Sequence, residues 1–557
     1  MSVRERAELW WAQDPDPVTR AELRALLDAG DDAALAARFG ATLEFGTAGL
    51  RGALGAGPDR MNRVTVMRAA AGLGARITPG GGGVVVGYDA RHNSAQFATD
   101  TAAVLSGMGL RCRVLPRPLP TPVLAFLVRH LGADAGVMVT ASHNPPQDNG
   151  YKVYWADGAQ IVPPVDAEIA AAIAAVGRVD ELPLGVPPEE ARAGEPTWEV
   201  LGPDAEEAYL DALKGLPLSD ARGITVAYTP MHGVGGETLI RAFLRAGFAA
   251  PYTVPEQCLP DPDFPTVAFP NPEEAGAMDL LVALAERTGA DLAIANDPDA
   301  DRCAVAVPLP GGGWRALTGD ELGGLLAEHV MRRTAAGDDR LLATTIVSSS
   351  LLGKIAAAHG AGFAETLTGF KWIMRAGVPG QRLVLGYEEA LGYSVGGDAG
   401  VPVRDKDGIG AALTIASLAA EAKASGRTLL DLLDAQALRY GVHATSQLSI
   451  RVPDRALIDA AVTALLHSPP SALGDHKVLS VEDLSVGFGG LPPTDGLRLT
   501  LEGGARIVIR PSGTEPKLKS YLEVVVPVPD RASLPTARQT ATETLKALET
   551  SLATHLP

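Results

Sequence analysis

Cysteine is nearly missing from this chain: only Cys112, Cys258 and Cys303 occur in 557 residues, far apart and in no metal-ligand spacing. So sparse and odd a set argues against a disulfide framework and fits a reducing compartment. Long apolar runs are missing too. No stretch approaches the about 20 residues that a membrane span needs, and the N-terminal MSVRERAELWWAQDPDP lacks an apolar core of signal-peptide length. A cytoplasmic protein without membrane contact is expected. Positive charge is in deficit, with 48 basic against 66 acidic residues and a formal net charge of −18. That balance repels nucleic acid and anionic membrane, so phosphate recognition has to come from local basic pockets.

What the chain has is length and repetition. At about 150 residues per domain, 557 residues divide into three or four domains. Thr19 and Glu22 form a capping-box pattern that predicts the start of the first helix, and Gly30 predicts its stop. Strands then alternate with helices for about 400 residues, the pattern of α/β units with parallel sheets. An internal repeat runs through them. GVVVGYDARHNS, a helix, GLRCRVLP, PLPTP, a helix and GADAGVMVTASHNP are answered by GITVAYTPMHGVGG, a helix, PYTVP, DPDFPT, a helix and GADLAIANDPDADR. Asp134 precedes Ser142 by eight positions, as Asp291 precedes Asp299. A fainter third copy runs LLATTIVSSS, AETLTGFKWI, LVLGYEEALGY and places Glu388 at the matching strand end. Ligands bind beyond the carboxyl ends of strands in open α/β sheets, so three related units would present three different loops there. The Pro-, Gly- and acid-rich stretch from Glu181 reads as a linker, and the pattern changes after Tyr440 to strands, a hairpin turning at Gly503-Gly504 and a terminal helix. The expected architecture is three related α/β domains with mixed or parallel sheets, at 1–205, 206–316 and 317–440, plus a C-terminal α+β domain at 441–557, around a central cleft.

Three motifs carry chemistry. In Asp297-Pro298-Asp299-Ala300-Asp301-Arg302, alternating carboxylates after a hydrophobic strand can converge on one hard cation, though a solvated acidic loop has the same pattern. An EF-hand does not fit, because Arg302 stands where glycine is required and Pro308 where the twelfth-position glutamate belongs. Mg²⁺ is preferred, since so few protein ligands leave coordination open for a phosphate oxygen. In Thr140-Ala141-Ser142-His143-Asn144-Pro145-Pro146, a serine beside a histidine is a candidate nucleophile, and no G-x-S-x-G elbow surrounds it. The repeat puts Ser142 at the position matching the triple-Asp loop, and a serine facing a divalent cation suggests phosphoryl chemistry. In Arg510-Pro511-Ser512-Gly513-Thr514-Glu515-Pro516, an arginine, two hydroxyls and a glycine make a phosphate cradle, with Lys517 and Lys519 on one face of the next strand.

These residues resemble the α-D-phosphohexomutases, the phosphoglucomutase/phosphomannomutase family, in the branch with bacterial phosphoglucomutases and animal phosphopentomutases. FGTAGLRG from Phe45, VGYDARHNS from Val86, TASHNPPQDNGYKVY from Thr140, DPDADR from Asp297, TGFKWI from Thr368, GYEEALGY from Gly386 and RPSGTEPKLK from Arg510 span nearly the whole chain in the family's order. The resemblance implies a heart-shaped molecule of four domains, three alike. It implies that Ser142 is the phosphoserine, that Asp297, Asp299 and Asp301 bind Mg²⁺ together with the serine phosphate, and that Arg302 contacts that phosphate. Lys152 would be the general base with His143 assisting. Arg51 would line the phosphoserine side, Glu388 would bind sugar hydroxyls and Lys371 would help read the substrate. Arg510, Ser512, Gly513, Thr514 and Lys519 would hold the non-reacting phosphate, while Asp89 and Arg91 would support the loops of the first domain.

The implied reaction interconverts glucose 1-phosphate and glucose 6-phosphate, an intramolecular phosphotransfer with glucose 1,6-bisphosphate as intermediate and activator. Small-molecule sugar phosphates would be the partners, and the protein a monomer or weak dimer. One departure stands out. Many relatives read Glu-x-Ser in the sugar loop, whereas Glu388-Glu389 is followed here by Ala390. Losing that hydroxyl removes a sugar contact, which keeps phosphomannomutase and above all phosphopentomutase activity open. A non-catalytic sugar-phosphate sensor is the reading of another class, and intact Ser142, Lys152 and triple-Asp residues speak against it.

Overall fold

Asp16, Pro17 and Gly30 show how local chemistry sets the first elements of the computed structural model. The Asp16 side chain accepts from Val18 N, Pro17 fills the first helical turn, and Gly30 ends the helix Pro17–Ala29 in the left-handed conformation at φ 64°. The expected stop at Gly30 holds and the expected Thr19–Glu22 box does not. Thr19 lies inside the helix and donates to Asp14 Oδ2 at 2.6 Å, while Glu22 is drawn to Arg38 at 2.7 Å. A helix that sequence reasoning overlooked, Val3–Gln13, precedes it with a Ser2–Glu5 capping box of its own. The structure describes residues 1–46, 48–77, 81–452, 454–511 and 517–556, with the backbone alone at position 455.

The described chain divides into two units. The first comprises Met1–Ala316, Gly392–Val395 and Val401–Ser417, and the second Leu317–Leu391, Gly396–Gly400 and Leu418–Pro557. Gly392–Val395 and Val401–Ser417 therefore pack with the first unit, although they lie inside the stretch 317–440 drawn as one domain from sequence.

In the first unit, Leu50–Ala53, Asp148–Trp155, Ala135–Val139, Val84–Tyr88, Cys112–Val114 and Glu199–Val200 form one sheet in that spatial order. A second sheet runs Trp314–Ala316, Ala304–Pro308, Leu292–Ala295, Val226–Thr229 and Tyr252–Thr253. In both, the first strand of a repeat lies between its second and third, all parallel, and the fourth returns antiparallel. The repeat extends to single hydrogen bonds. Asp134 Oδ2 accepts from Gly83 N at 2.9 Å, and Asp291 Oδ2 accepts from Thr225 N at 2.8 Å. Each GAD aspartate thus ties the start of the third strand to the start of the first. The central strands Ala135–Val139, Val226–Thr229 and Leu292–Ala295 are buried along their whole length, as parallel strands covered on both faces must be. The expected linker from Glu181 is tied down: Gly185 N donates to Ala103 O, and Glu199–Val200 pairs with Cys112–Val114.

In the second unit, Gly362–Thr366, Arg340–Thr345 and Arg382–Glu388 are parallel in the order of the other two repeats, so the faint third copy is real. The last sheet is antiparallel, ordered Val442–Arg451, Lys517–Val526, Arg506–Pro511, Leu497–Leu501, His476–Asp483 and Ala472–Leu473, with the helix Leu534–Ala553 packed on it. Its expected hairpin turns through Gly503 and Gly504, at φ 80° and 83°, a conformation that glycine adopts without steric cost. Cys112 and Cys303 are buried, Cys258 is half-buried, and all three are free thiols. Among the described residues no helix is long and apolar enough to cross a membrane.

Candidate active site

The repeat delivers two different loops to one place in the first unit. Ala135–Val139 ends in Thr140–Asn144, and Leu292–Ala295 ends in Asn296–Arg302. Ser142 stands in the left-handed region at φ 51°, a conformation that costs a non-glycine residue about 1–3 kcal/mol and persists only where the surroundings impose it. Its amide donates to Thr140 Oγ1 at 2.9 Å, and its own Oγ donates to Asp297 Oδ2 at 2.7 Å. The nucleophile candidate and the acidic triad, 155 positions apart in sequence, are in direct contact.

Asp297, Asp299 and Asp301 are each fully buried, and one carboxylate oxygen from each lies within 4.8 Å of the others. Asp297 has both oxygens engaged, Oδ2 by Ser142 and Oδ1 by Arg302 N at 3.0 Å, while Asp299 and Asp301 each have one. Asp299 Oδ2 accepts from Lys152 Nζ at 2.6 Å and from Thr121 Oγ1 at 2.7 Å. Asp301 Oδ2 faces Lys152 Nζ and Lys406 Nζ, both at 2.9 Å. Asp299 Oδ1 and Asp301 Oδ1 are buried with no hydrogen-bond partner. Buried carboxylates this close together, two of them with an oxygen that has no hydrogen-bond partner, are what a hard cation binds, so the residues present fit a metal ion.

The electrostatics separate the three acids. Burial raises the pKa of each, and for Asp297 the neighbouring Asp299 and Asp301 raise it further, well above the ordinary carboxylate range. For Asp299 the Lys152 ammonium overcomes burial, and for Asp301 Lys152, Lys406 and Arg302 do, holding both carboxyls below that range. Burial favours neutral Lys152, but the two carboxylates outweigh it and raise its pKa, so Lys152 is an ammonium here. A general base, the role that the family resemblance implies for Lys152, would need the neutral amine. His143 goes the other way: burial, helped by Arg302, Arg51 and Lys406, pushes its pKa well below the usual value. A neutral imidazole therefore stands with Nδ1 3.3 Å from Ser142 Oγ. Arg51 donates to Asn144 Oδ1 at 3.1 Å, and Arg302 Nη1 lies 3.5 Å from Glu273.

Sequence reasoning missed Thr121 and the run Arg404-Asp405-Lys406-Asp407. Asp405 accepts from Tyr154 OH at 2.7 Å and Gln160 Nε2 at 3.0 Å, Lys406 reaches Asp301, and Asp407 accepts from Tyr209 OH at 2.8 Å. Four charges in succession just before the apolar helix Gly408–Ala424 were the available signal.

The remaining predicted residues lie in the second unit. Glu388 Oε1 accepts from Gly369 N at 2.8 Å, and Lys371 sits in the short helix Phe370–Ile373. Glu389 contacts Ser348 Oγ at 3.0 Å, and burial with Glu388 and Asp320 nearby pushes its carboxyl up to about 7. Arg510 and Lys519 face each other across the strands Arg506–Pro511 and Lys517–Val526. Ser512, Gly513 and Thr514, the rest of the predicted cradle, lie outside the described residues.

Four consecutive segments match the domains of one family: phosphoglucomutase/phosphomannomutase alpha/beta/alpha domain I at 42–179, domain II at 207–311, domain III at 318–440 and the C-terminal domain at 449–529. The chain belongs to the phosphoglucomutase/phosphomannomutase family. This α-D-phosphohexomutase is 43% identical to a probable phosphomannomutase of Haemophilus influenzae over 473 residues, covering 83% of this chain and 93% of the relative. It is 36% identical to a probable phosphoribomutase of Schizosaccharomyces pombe, covering 93% of each. Among solved structures, a putative phosphomannomutase from Thermus thermophilus aligns with TM-score 0.66 and 28% identity, over 91% of this chain and 99% of that one. The protein is a phosphomutase, an enzyme of the isomerase class.

Proposed function

We propose that this phosphohexomutase interconverts glucose 1-phosphate and glucose 6-phosphate, carrying a phosphate on Ser142 and passing through glucose 1,6-bisphosphate. The observation that supports this most is the 2.7 Å contact of Ser142 Oγ with Asp297, beside two buried carboxylate oxygens without a hydrogen-bond partner. Asp297, Asp299 and Asp301 would hold Mg²⁺, which when bound neutralises charge on a transferred phosphoryl group.

The chain's own residues do the rest. Thr140 and Arg91 fix the backbone on both sides of Ser142, which aims Oγ at one position. Neutral His143 is placed to accept a proton at Nδ1, and Lys152 places a positive charge between Asp299 and Asp301. Lys152 becomes a proton acceptor only where those carboxylates are drawn elsewhere. Arg51 and Arg302 add guanidinium charge for a phosphate dianion. Side-chain exposures near zero for the three acids keep bulk water from a phosphoserine that it would hydrolyse. In the second unit, Glu388 would bind sugar hydroxyls, Lys371 would help read the substrate, and Arg510 with Lys519 would bind phosphate. The partners would be sugar phosphates, met in the cytoplasm by a monomer or weak dimer.

Pentose phosphate mutation is the second reading. Ala390 lacks the sugar-loop hydroxyl, and a relative that matches over 93% of both chains is named a probable phosphoribomutase. Steady-state kinetics with glucose 1-phosphate, mannose 1-phosphate and ribose 1-phosphate, each primed with the matching bisphosphate, decide between them. The highest kcat/KM on glucose 1-phosphate is expected. A preference of tenfold or more for ribose 1-phosphate overturns the hexose assignment, and no turnover of any of the three returns the sensor reading.

A further inference from the structure

Arg91 follows the strand Val84–Tyr88, and its side chain is 1% exposed. Nη1 donates to the carbonyls of Pro145 at 2.9 Å and Asp148 at 3.2 Å. Nη2 donates to the carbonyls of Ser142 at 2.5 Å and Asn144 at 2.6 Å. Nε faces Asp89 Oδ2 at 3.4 Å. A guanidinium has five N–H groups in a rigid fork. Four serve one seven-residue loop and the fifth faces the buried counter-charge. Asp89 is itself fixed, accepting from Ser94 Oγ at 2.6 Å and from Arg91 N at 3.0 Å.

The consequence falls on Ser142. Its amide is held by Thr140 Oγ1 and its carbonyl by Arg91, so both peptide planes around its left-handed Cα are fixed. With the backbone set, the side chain leaves toward Asp297. A second element covers the guanidinium. The ring of Phe264 stacks over it at 4.9 Å from the centroid and is 3% exposed. Phe264 is left-handed too, at φ 46°, on the loop Asp261–Thr266, and neighbouring Asp263 reaches His92 Nε2 at 2.7 Å. The DPDFPT stretch of the second repeat thus closes over the clamp of the first.

We infer that Arg91, sealed by Phe264, is a positioning residue for phosphoryl transfer: it sets the reactive conformation of the Ser142 loop through four backbone carbonyls. The inference rests on the phosphoserine reading. At 1% exposure Arg91 acts through Ser142 and leaves substrate binding to other residues. Lysine cannot replace it, because one ammonium has three donors and no fork to span two pairs of carbonyls.

The test uses the full-length enzyme, with Arg91→Lys and Phe264→Ala beside wild type. Each is labelled on Ser142 with radioactive glucose 1,6-bisphosphate and mixed rapidly with sugar phosphate, and the loss of label is timed well below each variant's melting temperature. Misplacing reacting groups by about 1 Å costs up to about a hundredfold, so transfer in Arg91→Lys should slow by about 30-fold or more. KM should stay within about twofold, a split that general loosening of the fold would not produce. Phe264→Ala keeps the carbonyl bonds but wets the guanidinium, and should slow transfer by a smaller factor with KM again unchanged. Wild-type transfer rates in Arg91→Lys, or losses appearing in KM and not in the transfer step, overturn the inference. If Arg91→Lys does not fold, Phe264→Ala decides: an unchanged transfer rate there overturns the sealed clamp. Failure of wild type to take label sinks the phosphoserine reading itself, an outcome distinct from either variant's.

Discussion

Lys152 Nζ lies 2.6 Å from Oδ2 of Asp299, on a carboxylate whose other oxygen has no partner. The same acid thus anchors a buried cation with one oxygen and offers the second to a metal. Repulsion among three acids taken alone would make Asp299→Asn cost little stability. The Lys152 contact reverses this, because the ammonium makes ionised Asp299 favourable. Asp299→Asn should destabilise the metal-free protein by about 3 kcal/mol, the scale of breaking a buried ion pair. The acid whose charge is unfavourable is Asp297, so Asp297→Asn should hold or raise the melting temperature. Both should weaken Mg²⁺-dependent activity at least about tenfold at limiting metal. Melting curves with and without Mg²⁺, together with a metal titration of activity, check the pair. Equal loss of stability in the two variants would remove the distinction.

On the proposed mechanism Ser142 Oγ enters each cycle phosphorylated, so part of the purified protein should carry phosphate there. Intact mass before and after phosphatase treatment should differ by one phosphate. Ser142→Ala should lose that species and the mutase activity together, and wild-type activity in that variant would end the assignment.

Asp407 gives the fold a pH dependence. Burial pushes its carboxyl up to about 6, despite hydrogen bonds from Gly410 N and Tyr209 OH that favour the ionised form. Its contribution to stability is fully present below the ordinary 3.8 and is lost as pH rises through about 6. A shift of this size corresponds to about 3 kcal/mol. Asp407→Asn keeps a capping side chain without the charge, so it should flatten the pH dependence between 4 and 7 and melt higher than wild type at pH 8. Thermal melts across that range check it, and parallel wild-type and variant curves would assign the dependence to other groups.

Arg510→Ala should impair the reaction in both directions and let bisphosphate escape before its second transfer. A charge-assisted contact to phosphate is worth about 1.5–3 kcal/mol, or about one to two decades in substrate capture. Kinetics from glucose 1-phosphate and from glucose 6-phosphate, with the yield of free glucose 1,6-bisphosphate, measure both effects. Loss confined to one direction would mean that Arg510 reads one end of the sugar only.

The parallel strands confirmed the third copy, while chain order and residue type alone settled the repeat of the first two units, the triple-Asp loop and the hairpin at Gly503-Gly504. These are local patterns: a GAD turn, alternating carboxylates after an apolar strand, and paired glycines each carry their meaning within a dozen residues. Even the separation of Asp134 from Ser142 and of Asp291 from Asp299 foretold that the two loops are counterparts. The tertiary structure decided which charges face which. Lys406 reaches Asp301 from a segment that sequence reasoning assigned to the third domain, and Thr121 reaches Asp299 across 178 positions. Arg91 looked like loop support in the sequence, and only folding gathers four carbonyls and the Phe264 ring around its guanidinium. The protonation of Lys152 and His143 was equally out of reach. A pKa is set by burial and by charges within a few ångströms, and those neighbours are supplied by distant parts of the chain.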